Sequence, residues 1–172
     1  VLIAGGFDAS GNPLSTTEIF DPKTRQSTGG PDLLVARARH TALRTSSGDV
    51  VFFGGQDASG QPLASVEIYS FVPIAKPPAA QLPELPNVAA PDMAVAQISP
   101  CAHLLPDQRM LVTGGIDAAG AGVQVAQLLD RRHDHDTSTP DFKDPAWEST
   151  ANNMLTERAG VRAVSLLAGN VL

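Results

Sequence analysis

The sequence predicts an all-β fold of about three four-stranded antiparallel sheets, laid down one after another along the chain. Two observations predict it. The first is a sentence written three times: "GGFDASGNPLSTTEIFDP" from Gly5, "GGQDASGQPLASVEIYSF" from Gly54 and "GGIDAAGAGVQVAQLLDR" from Gly114. Regular self-similarity marks a supersecondary unit that buries its apolar faces only against its neighbours. The second is composition. The chain has 15 Gly and 14 Pro in 172 residues and only 5% aromatics, a mix that suits short strands and many turns over long helices.

The repetition extends backwards from each doublet. "DLLVARARHTALRTSSGDVVFFGG" (Asp32 to Gly55) lies over "DMAVAQISPCAHLLPDQRMLVTGG" (Asp92 to Gly115), and "NMLTERAGVRAVSLLAGNVL" starts a further copy at Asn153. In that copy Val171 and Leu172 fall where Val1 and Leu2 fall in the first. The whole chain therefore reads as one segment, 1–172, with repeat units of approximately 1–31, 32–91 and 92–152, and with 153–172 beginning the next.

Each unit reads as four strands. The first is the apolar run His40 to Arg44, Cys101 to Leu105 or Arg162 to Leu166, closed by a turn written "SSGD", "PDQ" or "AGN". The second runs into the doublet: "VLIAGG", "VVFFGG", "MLVTGG". The third, "STTEIFD", "ASVEIYS" or "VQVAQLLD", is patterned for burial on both faces to different degrees. The fourth is the faintest, near Gln26, Pro86 and Trp147. Strands this short, joined by tight turns, pair as antiparallel meanders.

Paired glycines at a strand end permit positive φ and close approach of a neighbouring backbone. The "DASG" that follows is a turn, its aspartate accepting backbone N–H groups. A calcium loop on Asp8, Ser10 and Asn12 is the competing reading, and it fails because Gln61 and Ala119 replace ligands in the later copies.

Together the apolar run into Gly-Gly, the "EIF" and "EIY" strand with Tyr69 at its aromatic position, the "LLVARARHTAL" approach to the first strand, and Trp147 resemble the kelch repeat, the unit of one class of β-propeller. "HTALRTSSGDVVFFGG" is most similar to bacterial kelch proteins and to galactose oxidase-like propellers. The chain departs from the pattern in lacking the fourth-strand tryptophan in copies one and two and in placing Phe20 and Leu129 at the tyrosine position. Propellers close with four to eight blades, so three sheets imply further blades, from a longer chain or from a second copy. The resemblance implies a non-catalytic scaffold for a protein or carbohydrate ligand. It also leaves open a propeller enzyme, a copper-radical oxidase or a sugar-processing enzyme, whose centre lies mostly outside this chain. Family analogy further suggests a bacterial, exported or cell-surface protein; the residues themselves leave the compartment open.

Strand alternation puts the loop before the first strand and the "GGxDA" turn on one rim. Kelch propellers commonly bind partners there through arginines, which here implies Arg37, Gln97 and Arg158, with Arg39 and His40 beside the first. An arginine fork suits carboxylate or phosphate. The alternative is that each arginine pairs with a turn aspartate, Asp8, Asp57 or Asp117.

The opposite rim carries two insertions. "FVPIAKPPAAQLPELPNVAAP" reads as an extended, polyproline-like excursion. "DRRHDHDTSTPDFKDP" holds His133 and His135, weak metal candidates because nothing in a loop orients them; a solvated loop is the favoured reading, and no cofactor is expected.

The rest of the composition narrows the field. A formal net charge of −6 with three lysines (Lys23, Lys76, Lys143) argues against a nucleic-acid or anionic-membrane surface, and no apolar run approaches the ~20 residues of a membrane span. The lone Cys101 excludes an internal disulfide and reads as a buried, inert thiol. His103, between apolar neighbours, reads as packed. Nucleophile elbows and phosphate-cradling loops are absent from the sequence, and the doublets each precede a strand, unlike dinucleotide fingerprints.

Overall fold

A computed structural model describes residues 1–70, 87–130, 146–150 and 152–164. Most of both insertions, including His133 and His135, lies outside the described residues. Eleven strands are present among them, and no helix. They form three antiparallel meanders. The first sheet is β1 (Leu2–Ala4), β2 (Thr17–Asp21) and β3 (Gln26–Gly30); the second is β4 (Thr41–Arg44), β5 (Val50–Phe53), β6 (Val66–Tyr69) and β7 (Val88–Ala90). The third is β8 (Cys101–Leu104), β9 (Met110–Thr113), β10 (Ala126–Asp130) and β11 (Ala146–Ser149).

The period-2 alternation of each strand decides which neighbour it faces. On β5, Val51 and Phe53 turn toward the third sheet and share a core with Met110, Val112 and Leu129. Phe52 and Val50 turn the other way, joining Leu33, Tyr69, Leu2 and Ala4. The middle sheet is thus covered on both faces, and every residue of β6 is buried. Across the gap between the second and third sheets, the strands that approach most closely are β4 and β8, so the sheets fan outward from their first strands.

Trp147 closes the interface between the second and third sheets. Its ring meets Phe53 edge-on at 6.2 Å, and its indole N–H donates to Pro91 O at 2.7 Å. The second sheet has Asn87 at the equivalent position, and its amide donates to Asp32 O at 2.5 Å. The smaller side chain keeps the tether and gives up the ring.

Some sequence expectations need correction. The first strand of the second sheet starts at Thr41, since Arg39 carries φ +52° and breaks the extended run; that of the third stops at Leu104. The faint fourth strand of the second sheet, expected near Pro86, is found at Val88–Ala90. Of the further first strand expected at Arg162 to Leu166, residues 162–164 carry no strand and 165–166 lie outside the described residues. Cys101 is a free thiol, half-buried rather than enclosed.

Candidate functional site

The doublet is where one repeat receives the next. Gly54 adopts φ +59°, and a Cβ there would lie 2.5 Å from the carbonyl oxygen of Gln97, in the loop leading to the third sheet. Gly55 N–H donates to that same oxygen at 2.9 Å, and Gln97 N–H returns a bond to Leu63 O at 3.0 Å. The first copy repeats this with Gly6 N–H on Arg37 O and Arg37 N–H on Leu14 O. The aspartates after the doublets serve their own turns. Asp57 Oδ1 accepts the N–H groups of Ser59 and Gln61, Asp8 those of Ser10 and Asn12, and Asp117 those of Ala119 and Ala121. These donors hold the Asp8 and Asp57 carboxyls below the usual carboxylate range, the Asn12 N–H contributing most to the first and the Ser59 hydroxyl to the second.

The alternative pairing with a turn aspartate is not made by Arg37, which takes a different carboxylate. Arg37 is 0% exposed, the largest fully buried side chain among the described residues. Its guanidinium donates to Gly54 O at 2.8 Å, to Ser65 O at 3.1 Å, to Ser65 Oγ at 3.0 Å and to Glu67 Oε1 at 2.5 Å. Glu67, in β6, also accepts the N–H groups of Leu34 and Val35. With its backbone docked on the first sheet and its fork in the second, Arg37 ties the two blades together. The residue that makes this possible, Glu67, escapes a reading that sees "VEIY" only as a strand; a charge in a strand apolar on both faces is the signal that points to it.

In the third sheet the pair becomes Gln97 and Gln127. Gln127 Oε1 still accepts a loop N–H, that of Ala94, at 2.7 Å. Gln97 is also 0% exposed, and its amide atoms have no hydrogen-bond partner. Arginine and glutamate have thus changed together to two neutral amides.

The remaining rim candidates separate by exposure. Arg39 is exposed; its carbonyl accepts from Ser99 N–H at 2.8 Å, and its guanidinium has no partner among the described residues. The equivalent positions, Ser99 and Gly160, share its left-handed backbone, at φ +53° and +65°. His40 is half-buried, stacked edge-on to Phe52 at 5.6 Å; burial, and next the Arg37 guanidinium, push its pKa down to about 4. Arg158 is exposed. The structure thus brings Arg37, Arg39 and His40 into one loop, seals Arg37 and Gln97 from any partner, and leaves Arg39 and Arg158 open. No cluster of three or more metal-ligating side chains occurs among the described residues, and no helix there is long and apolar enough to cross a membrane.

Sheets of this order, stacked face to face and joined by rim loops, define a segment of an all-β propeller. Residues 1–34 match the family model of the Kelch motif, and the two later sheets repeat the same antiparallel strand order. No curated protein matches the chain.

Proposed function

We propose that this kelch-repeat chain is a non-catalytic binding scaffold whose doublet-bearing rim takes a protein partner through carboxylate or phosphate groups. The observation that carries the reading is Arg39. Its guanidinium is exposed and unpaired among the described residues, on a backbone at φ +52°. Left-handed backbone costs a non-glycine residue about 1–2 kcal/mol, and strain of this sort gathers at functional sites. An arginine kept where the later copies have serine and glycine is the feature a binding role accounts for.

The test is titration calorimetry with a polyglutamate peptide and with inorganic phosphate, comparing wild type with Arg39→Gly. The substitution is expected to abolish peptide binding while raising stability by about 1 kcal/mol through relief of the strained φ. Equal affinity in the two proteins overturns the reading.

A further inference from the structure

The joint between the second and third sheets encloses polar atoms that the neighbouring side chains and backbone do not satisfy. Gln97 leaves its loop beside the third doublet, with its Cβ 3.3 Å from where a Cβ on Gly115 would lie. It is 0% exposed, and neither its Oε1 nor its Nε2 has a hydrogen-bond partner among the described residues. Gln127, in β10, is 3% exposed, and its Nε2 is likewise without a partner. Its Oε1 takes the Ala94 N–H at 2.7 Å. Two donors and an acceptor are thus orphaned at one buried joint. Each would cost about 1–3 kcal/mol if left so, and protein interiors seldom carry such a deficit.

Turning the amides over does not remove it. Gln127 is fixed by Ala94, since the reverse orientation would set its Nε2 against a backbone N–H. Gln97 gains nothing from a flip, because both of its ends are unpaired. The equivalent joint, between the first and second sheets, shows what the place accommodates. There the longer Arg37 side chain fills it with a guanidinium bonded to Gly54 O, Ser65 O, Ser65 Oγ and Glu67. Glutamine stops short of that position, and the volume it gives up is on the order of the 30 Å³ that one water occupies in the liquid. A cation suits the second sheet because Glu67 balances it. The third sheet has Gln127 in place of Glu67 and Val125 in place of Ser65, so its joint offers neutral donors and acceptors together. Water, which both donates and accepts, matches that set better than an ion of either sign.

We propose that a single internal water is bound between the second and third sheets in the position of the guanidinium, accepting from Gln127 Nε2 and donating to Gln97 Oε1. Its second hydrogen is directed to the carbonyl of Gly114, the counterpart of Gly54 in the arginine socket. That gives it three hydrogen bonds, the usual complement of a buried water. One orphan, Gln97 Nε2, remains where three stood. The two joints are therefore fastened differently, one by an ion pair and the other by hydrated amides.

Water–protein NOE and ROE spectra of the isotopically labelled 172-residue chain test this. The side-chain NH2 of Gln127 is expected to show cross-peaks to water of opposite sign in the two experiments, the signature of a water held inside instead of passing over the surface. Gln97→Met, which keeps the length of the side chain but removes its amide, should abolish them. A crystal structure of the wild type should place one water within hydrogen-bond distance of both amides, and that of Gln97→Arg/Gln127→Glu should place the guanidinium there instead. Trp147 emission verifies folding of each variant, and the wild-type spectra decide by themselves where a variant does not fold. Absence of the water cross-peaks, a direct hydrogen bond between the two amides, or peaks unchanged in Gln97→Met would each overturn the proposal.

Discussion

Replacing Glu67 by Gln removes the carboxylate that faces a fully buried guanidinium. Arg37 would keep its bonds to Gly54 O, Ser65 O and Ser65 Oγ, but its charge would be unbalanced at 0% exposure. The reverse change, Arg37→Gln, strands a carboxylate at 1% exposure with two backbone N–H donors, those of Leu34 and Val35. Removing one partner of a buried ion pair costs about 3–5 kcal/mol. In a chain of this size each kcal/mol shifts Tm by about 2–4 °C, so either single substitution should lower Tm by roughly 6–20 °C. The double variant Arg37→Gln/Glu67→Gln is different, because it installs the two neutral side chains, Gln97 and Gln127, that stand at the equivalent positions of the next repeat. It leaves no buried charge and loses the arginine's hydrogen bonds, a net cost of about 1–2 kcal/mol. The double-mutant cycle, measured by urea denaturation with Trp147 emission as the probe, should therefore show a coupling of about 4 kcal/mol or more. Strictly additive single effects, or singles costing less than about 1 kcal/mol, would refute the assignment of Arg37 and Glu67 as a blade-joining latch.

Gly54→Ala should destabilise by about 3 kcal/mol, since the left-handed φ alone costs about 1–2 kcal/mol and the new Cβ would meet Gln97 O at 2.5 Å. Gly60→Ala, at φ +78° but in open space, should cost only the backbone part, and chemical denaturation of the two side by side separates the causes. His40 sets a pH dependence. The folded chain holds the neutral ring down to about pH 4, while the unfolded chain takes up a proton below about 6.5. Its contribution is complete above pH 6.5 and falls as pH drops toward 4, by at most about 1.4 kcal/mol per unit; His40→Phe should flatten that part of the stability profile. Trp147→Phe, which keeps the ring against Phe53 but removes the donor to Pro91 O, should cost about 1 kcal/mol, seen as a lower urea midpoint by circular dichroism.

The architecture was legible in the sequence because it is written in local signals. Alternation fixes strand faces, and the Gly-Gly-x-Asp turns fix chain reversals through bonds between residues at most four apart. Repetition of both implies sheets of equal build stacked on one another. Cys101 was misjudged because the strand pattern shows that a side chain faces a neighbour, but not how completely the neighbour covers it.

The rim could be named from sequence, but its arginines could not be sorted. Arg37 and Arg39 are two residues apart in the same "ARARH" string, and nothing in their spacing distinguishes a buried latch from an exposed fork. That distinction depends on Glu67, which becomes a neighbour only when the third strand of the second sheet folds behind the loop, and on a left-handed backbone that turns Arg39 outward. Periodicity along one chain determined the sheets, their faces and their order. Which charges meet, and which remain at the surface, was decided by the tertiary structure, because ion pairing and desolvation act between residues that sequence distance does not relate.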